Sequence, residues 1–336
     1  MASALALARD GRPVEIFERR EDVGGRFHGD FQGLENWTTQ EDVLDVLAGM
    51  GLQINFQCTP FSELVLYDPQ GREALCRADK PLFYLVRRGN QVGMLDHGLK
   101  KQLQEQGVPI HFRRTIELRR GGIMAAGPRR GDIIALGYVF ETDMADGIFA
   151  AVSNKLAPHG YAYLLIQGGR GTLATCMFSG FGRRRECLER CVRFFEERAG
   201  LRMVNAHRFG GLGAASVPDR ACRNGVIYVG EAAGFQDALF GFGIRYALMS
   251  GHMAAMALLR GEPEGYEYLW REKLGGFFRT GAVNRWLFEK GGHPGYHYLV
   301  WRVSRCRDPR AWLRRFYGPS WLKSAWYGYM NRRRRG

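Results

Sequence analysis

The sequence predicts an α/β fold, with an inserted antiparallel sheet and a helical C-terminal region. Residues 226–229 form an apolar run of strand length, followed by a glycine-bracketed acid and then by small and apolar residues at helical spacing. Near the N-terminus, residues 2–9 predict a helix, and residues 14–17 predict a strand that ends in Glu18. After residue 260 aromatic residues alternate with basic ones, which marks a separate C-terminal region.

Composition narrows the class of protein. The chain has 336 residues and 46% apolar content, enough to bury a core. Its 7 cysteines form no CxxC pair, so we expect buried thiols in a reducing compartment rather than a disulfide or zinc framework. The apolar start is too short for a signal peptide, and no uncharged run reaches the roughly 18 residues of a membrane span. We therefore expect a cytoplasmic protein.

Positive charge is concentrated at the C-terminus. The net charge is +14, and residues 302–336 hold ten Arg and one Lys against one Asp. Tryptophan, phenylalanine and tyrosine residues alternate with these bases, which suits peripheral contact with an anionic membrane surface. The alternative is a covering helix followed by a disordered basic end, residues 332–335. Specific nucleic-acid binding is disfavoured because no recognition motif accompanies the charge. Arg129 and Arg130 are expected as surface charge.

The strand at residues 226–229 leads into a ligand clamp. Gly230 and Gly234 bracket Glu231, so the backbone can approach a ligand closely. The next helix begins near Gly241 and Gly243, where outward N–H groups and the positive end of the helix dipole favour a phosphate or an electron-rich ring. The alternative is a glycine-rich turn before a core helix.

This segment resembles the second FAD-binding motif of flavoproteins of the geranylgeranyl reductase and p-hydroxybenzoate hydroxylase type. The resemblance implies a Rossmann-like FAD-binding domain, in which the acid binds the ribityl chain and the helix start faces the flavin pyrimidine. Glu231 replaces the usual aspartate. The matching positions are Gly230, Glu231, Ala232, Ala233, Gly234, Gly241, Gly243 and Ile244.

Further cofactor contacts are implied elsewhere in the chain. An acid that ends the second strand of a dinucleotide-binding unit binds the adenosine ribose, which is the role expected of Glu18. The other positions expected at the cofactor are Arg19, Gly25, Arg26, Arg88 and Gly127. Ordinary surface charge is the alternative for the arginines. The family's first strand and GxGxxG turn, which precede the ribose acid, are absent, so the FAD-binding domain is expected to be truncated at its N-terminus.

The substrate side resembles the YxWxFP and glycine signature of geranylgeranyl reductases. Tyr161 matches, Tyr163 replaces the tryptophan, and Gly168, Gly169 and Gly171 follow. His28 is expected near the flavin, so Tyr161, Tyr163 and His28 are the predicted substrate-binding residues. Aromatic residues on a strand can equally be core. The expected division is an FAD-binding domain over 1–50, 87–136 and 205–260, a substrate sheet over 51–86 and 137–204, and a helical region over 261–336.

Local patterns also predict strands in three further segments and a helix break near residue 294. Residues 64–67 and 82–86 predict strands of one antiparallel sheet, and residues 115–118 predict another strand. His293 and His297 lie four residues apart, but Pro294 and Gly295 are expected to break the helix between them. No metal site is therefore predicted.

The resemblance leaves three functions open. The first is an FAD-dependent oxidoreductase that reduces double bonds of an isoprenoid or lipid-like substrate, with NADPH or ferredoxin as electron donor and Tyr161, His28 or water as proton source. The second is a flavin monooxygenase that hydroxylates a small molecule. The third is a truncated, flavin-free chain with a lipid- or membrane-binding role. The catalytic residues stay unassigned.

Overall fold

The computed structural model describes residues 1–128 and 131–335, with the backbone alone for 334 and 335; Arg129 and Arg130 lie outside the described residues. The helices are α1 (Ala2–Arg9), α2 (Val43–Gly49), α3 (Leu95–Glu105), α4 (Arg184–Ala199), α5 (Ile244–Leu259), α6 (Tyr266–Lys273), α7 (Gly275–Ser304), α8 (Pro309–Tyr317) and α9 (Trp321–Arg335). The strands are β1 (Ile16–Glu18), β2 (Phe31–Glu35), β3 (Cys58–Phe61), β4 (Glu63–Tyr67), β5 (Glu73–Arg77), β6 (Phe83–Arg87), β7 (Ile110–Phe112), β8 (Ile123–Met124), β9 (Ile133–Glu141), β10 (Gly147–Ala151), β11 (Tyr161–Gln167), β12 (Arg170–Met177), β13 (Val204–Gly213), β14 (Cys222–Arg223) and β15 (Val226–Tyr228).

The Rossmann-like half consists of short parallel pairs covered by helices. β1 pairs in parallel with β7, and β15 pairs in parallel with β8 and antiparallel with β14. Leu5 of α1 and Leu248 of α5 are buried in one cluster with Leu99 of α3, so these helices share a core. The mixed α/β fold predicted from the sequence is confirmed. The expectation that a strand and a GxGxxG turn are missing stays a prediction.

The large sheet has the strand order β13-β9-β12-β11-β10-β4-β5 and is antiparallel except between β4 and β10. Its buried face packs on α4 through Leu164, Leu173 and Phe195. The sheet includes β13, whose residues fall mostly in the segment 205–260 predicted as cofactor domain. The predicted division into domains stays a prediction.

A second antiparallel sheet, in the order β2-β6-β3, lies beside the large one. The backbone N–H of Phe31 in β2 donates to Thr172 Oγ1 in β12 at 2.9 Å and joins the two sheets. The prediction that residues 82–86 share a sheet with residues 64–67 is therefore wrong. The physical reason is that β6 is buried over four successive residues, as a central strand is, instead of alternating as a half-exposed strand does.

Two other local predictions also differ from the structure. Residues 115–118 form no strand, because they lie in an exposed segment that pairs with no other strand among the described residues. Helix α7 kinks at Gly292 (φ 50°, ψ −147°) and continues through both histidines. Pro294 falls in the first turn after the kink, where its missing N–H costs no hydrogen bond. The expected break between the histidines is therefore wrong: the break lies at Gly292, two or three residues before Pro294 and Gly295.

His297 contacts Asp68 Oδ2 and Arg72 Nη2 at 2.8 and 2.9 Å. In the part of the chain that the structure describes, no group of three His, Cys, Asp or Glu side chains could hold a metal ion. None of the helices over the described residues is both long and apolar enough to cross a membrane.

Candidate functional site

Glu231 lies in a tight turn directly after β15. Gly230 and Gly234 on either side have positive φ, 55° and 81°, which glycine adopts without strain. The Gly230 N–H donates to Ser250 Oγ of α5 at 3.0 Å. A Cβ on Gly234 would lie 2.2 Å from Ser216 Oγ, so this position has no room for a side chain. The turn therefore holds the Glu231 carboxylate in a fixed place between β15 and α5.

Arg26 reaches this carboxylate from the opposite end of the chain. Its Nη1 lies 2.6 Å from Glu231 Oε2, and the two side chains are 34% and 18% exposed. A Cβ on Gly127 would lie 3.0 Å from the same nitrogen, so glycine leaves space for the guanidinium. The fold thus brings together three residues that the sequence predicted at the cofactor. We call Arg26, Gly127 and Glu231 the Glu231 cluster.

Phe27 connects this cluster to Arg88. The guanidinium carbons of Arg26 and Arg88 lie 4.9 and 3.8 Å from its ring centre. Arg88 Nε and Nη2 donate to the two oxygens of Asp96 at 2.9 Å each. Burial alone would raise the pKa of Asp96, but the Arg88 charge and hydrogen bonds hold that pKa below its usual value. Arg88, predicted at the cofactor, is thus placed in an ion pair behind Phe27.

Helix α5 begins where the sequence predicted it. Gly243 caps the helix, Ile244 is its first residue, and Gly241 has a positive φ of 73°. The first N–H groups of a helix have no partner within it and carry the positive end of its dipole. Gln236 Nε2 donates to the Gly241 carbonyl at 2.7 Å, while its buried Oε1 has no partner among the described residues. That oxygen is an acceptor available for a ligand N–H.

The residues predicted at the ribose lie at the end of β1. Glu18 Oε1 accepts from the Arg20 backbone N–H at 2.9 Å, and Arg19 is exposed. A Cβ on Gly25 would lie 2.9 Å from Arg20 Cδ. Among the described residues no hydrogen bond joins Glu18 to the Glu231 cluster. Their roles as cofactor contacts stay predictions.

Tyr161 supports the loop between Glu231 and α5. Its hydroxyl donates to the Phe240 carbonyl, and its ring lies 5.3 Å from the Phe240 ring and 6.0 Å from the Tyr163 ring. Burial raises the pKa of both tyrosines. Asp237 accepts from the backbone N–H groups of Leu239 and Phe240 at 3.1 and 2.7 Å, and burial raises its pKa to about 6. The loop is thus held by the Tyr161 hydroxyl at the Phe240 carbonyl and by the Asp237 carboxyl at two backbone N–H groups.

A cavity of about 380 Å³ lies between the small sheet and the large sheet. His28, the third predicted substrate residue, lines it, whereas Tyr161 and Tyr163 do not. Burial and the nearby Arg170 lower the pKa of Arg87. One part of the lining is polar, with the basic residues Arg87, Arg170 and His207 and the acidic residue Glu141. Another part is apolar and consists of Phe27, Phe31, Met94, Val139 and Phe140.

Sequence reasoning missed Arg87 and Arg170 as cavity residues. Arg170 stands between Gly169 and Gly171, within the glycine signature, and Arg87 precedes the arginine that was chosen. Both arginines therefore lie next to positions that the sequence marks as functional, and this proximity could have indicated them. Their convergence could not be seen because they lie on β6 and β12, in different sheets.

No protein-family model matches the sequence. Over 138 residues the chain is 33% identical to digeranylgeranylglycerophospholipid reductase 2 of Methanothermobacter thermautotrophicus, a match that covers 36% of this chain and 34% of that protein. The chain thus matches about a third of the length of this curated relative. This homology agrees with the resemblance to geranylgeranyl reductases.

Solved structures of similar fold cover nearly the whole chain. A geranylgeranyl bacteriochlorophyll reductase-like protein from Thermoplasma acidophilum has a TM-score of 0.73 at 18% identity, covering 92% of this chain and 89% of that one. A flavin-dependent brominase gives 0.68 at 14%, covering 100% and 96%. A flavoprotein/dehydrogenase from Cytophaga hutchinsonii gives 0.64 at 15%, covering 95% and 90%. The chain therefore has the fold of the flavin-dependent oxidoreductases.

Proposed function

We propose that this protein is an FAD-dependent oxidoreductase that reduces double bonds of an isoprenoid or lipid-like substrate. The observation that carries the proposal is the position of the Glu231 carboxylate. It lies in a glycine turn between a parallel strand and the start of α5, beside Arg26 and Gly127. The homologous reductase supports the reaction class, and the similar solved structures support the fold.

The residues present fit the flavin and ribityl part of FAD. Glu231 offers carboxylate oxygens to the ribityl hydroxyls, and the buried Gln236 Oε1 offers an acceptor to a ring N–H. The positive end of α5 at Gly243 would stabilise negative charge on the ring. Bound FAD would supply hydride transfer from its reduced ring. The protein's own contribution is to bind, orient and tune that ring.

The cavity suggests which kind of substrate would be bound. Its apolar residues suit a hydrocarbon chain, and Arg87 with Arg170 would bind a negative group. Because Arg87 forms no ion pair among the described residues, its charge is available to a ligand. We therefore propose an amphiphilic substrate with an anionic head group. His28 borders this cavity, while the Tyr161 hydroxyl is engaged by Phe240, so His28 or water would supply the proton.

The first experiment measures FAD binding and turnover. Purified protein is titrated with FAD, and flavin fluorescence gives Kd for the wild type, Glu231→Ala and Glu231→Gln. Losing the charged acceptor, at about 1.5–3 kcal/mol for such a hydrogen bond, should weaken binding roughly tenfold to a hundredfold, and glutamine should restore only part of it. Folded protein that binds no FAD would favour the flavin-free function.

The second experiment separates reductase from monooxygenase chemistry. Prenylated phospholipid is incubated anaerobically with the FAD-loaded protein and chemically reduced flavin, NADPH or reduced ferredoxin, and the product mass is recorded. A gain of two hydrogens per double bond supports the proposal, and the donor that sustains turnover identifies the electron source. In a parallel aerobic incubation, oxygen uptake driven by NADPH, with an oxygen atom added to a small molecule, would instead establish the monooxygenase.

A further inference from the structure

Helix α9 exposes its apolar side to solvent. At roughly 100° per residue, the residues of its outer face fall within an arc of about 140°. They are Trp321, Leu322, Ala325, Trp326, Tyr329, Arg332 and Arg333, which we call the α9 outer face. Trp321 and Leu322 are 77% and 62% exposed, and Trp326 and Tyr329 remain 40% and 45% exposed.

The opposite side of α9 is less exposed and of mixed character. Lys323 points inward, where its ammonium donates to the Phe316 carbonyl and burial lowers its pKa. Tyr327, Gly328, Met330 and Asn331 also lie on this side. A surface helix usually turns its large apolar side chains toward the core, whereas Trp321 and Leu322 of α9 face solvent. An exposed apolar patch of this kind marks an interaction surface.

The helix is anchored to the rest of the fold by one aromatic contact in particular. Trp326, at the edge of the outer face, contacts Trp286 of α7, with ring centres 5.2 Å apart and ring planes tilted by 58°. The guanidinium carbon of Arg333 lies 5.1 Å from the ring centre of Tyr329, so charge and aromatic surface are adjacent. No acidic residue follows Asp308 in the sequence. The outer face is therefore aromatic and basic, without a compensating negative charge from this segment.

We propose that the α9 outer face binds an anionic phospholipid surface. Tryptophan and tyrosine prefer the headgroup layer, where the ring is buried and its polar atom stays hydrated, and arginine is attracted to acidic lipids. A second copy of this chain fits less well, because a symmetric contact would bring like charges of the two copies together. The proposal does not depend on FAD or on the proposed reaction.

The test is flotation of the full-length protein with vesicles of phosphatidylcholine alone or with phosphatidylglycerol added. We expect binding to the mixed vesicles only, and less of it as salt rises. Arg332→Gln with Arg333→Gln should weaken binding on the order of thirty-fold, as expected for two basic residues near an anionic surface. Trp321→Ser with Leu322→Ser removes two apolar side chains that would enter the headgroup layer. This change should weaken binding to the mixed vesicles by at least about tenfold.

Matched controls separate this face from general effects of charge and apolarity. Arg12→Gln with Arg114→Gln removes two exposed charges elsewhere, and Ile116→Ser with Tyr268→Ser removes two exposed apolar side chains. Both control proteins should bind vesicles like the wild type, and all variants should keep the wild-type unfolding temperature. Binding that is equal for neutral vesicles, or unchanged in the α9 variants, would overturn the proposal. So would α9 variants that change the oligomeric state instead of lipid binding.

Discussion

Replacing Arg88 by methionine removes the positive half of a buried ion pair and keeps an unbranched side chain of similar length. Arg88 and Asp96 are 16% and 6% exposed and share two hydrogen bonds of 2.9 Å. Arg88 also donates to Gln32 Oε1 at 3.1 Å. Removing one partner of such a pair leaves the other charge buried alone, which costs about 3–5 kcal/mol. We expect Arg88→Met to lower the free energy of unfolding by about that amount.

The assay is urea unfolding followed by circular dichroism, with Arg87→Met as the matched control. Arg87 is the neighbouring arginine, but within the described part of the chain its guanidinium makes only a long hydrogen bond of 3.4 Å to the Gly29 carbonyl. Its loss should cost less than about 1 kcal/mol. If the two variants were equally stable, the argument that Arg88 supports the fold would be refuted. A normal stability of Arg88→Met with weakened FAD binding would instead place Arg88 at the cofactor.

The pH dependence gives an independent check on the same pair. Because the pKa of Asp96 is lower in the folded state than its ordinary 3.8, the unfolded chain takes up the proton first as the pH falls. The contribution of the pair is therefore present above pH 3.8 and is lost as the pH falls through the folded-state pKa. The stability of the wild type relative to Asp96→Asn should decrease over that acid range, as measured by thermal unfolding.

Three further changes test the glycine turn and the loop that follows it. Asp237→Asn should gain stability relative to the wild type, by up to about 3 kcal/mol, as the pH rises from 3.8 to about 6. Over this range the carboxyl ionises in the unfolded chain but stays protonated in the folded one, where burial raises its pKa, so only the wild type loses stability. Thermal unfolding at several pH values would show this change, and a constant difference between the two proteins would contradict it. Gly234→Ala should lower the free energy of unfolding in urea by at least about 2 kcal/mol, because of its positive φ and the close Ser216 Oγ. Gly11→Ala, with a similar φ but open space around the site, should lower it by about 1 kcal/mol. Equal losses would rule out the steric argument. Tyr161→Phe should lower the free energy of unfolding by about 1–2 kcal/mol by leaving the partly buried Phe240 carbonyl unpaired, and a neutral result would mean that water replaces the hydroxyl.

The sequence predicted the local structure around Glu231 correctly, because the signals for it lie close together in the chain. The pattern between residues 226 and 244 predicts a strand, a glycine-bracketed acid in a turn and a helix start, and the structure has each of these elements at the predicted place. Helix α1 and the Glu18 strand were also predicted with nearly the correct bounds. Apart from the misplaced break in α7, the predictions that failed concerned strand pairing. A strand-like pattern at residues 115–118 had no partner, and β6 joined a different sheet from the expected one.

By itself the sequence determined the α/β class, the glycine turn around Glu231 and the aromatic, basic character of the C-terminus, since each depends on residues close together in the chain. Tertiary structure alone decided which charges meet. Arg26 contacts Glu231, which lies 205 residues away in the sequence, and Arg88 pairs with Asp96. The cavity forms where two sheets face each other. Contacts between distant residues are set by the packing of whole elements, and a pattern read along one segment does not contain that information.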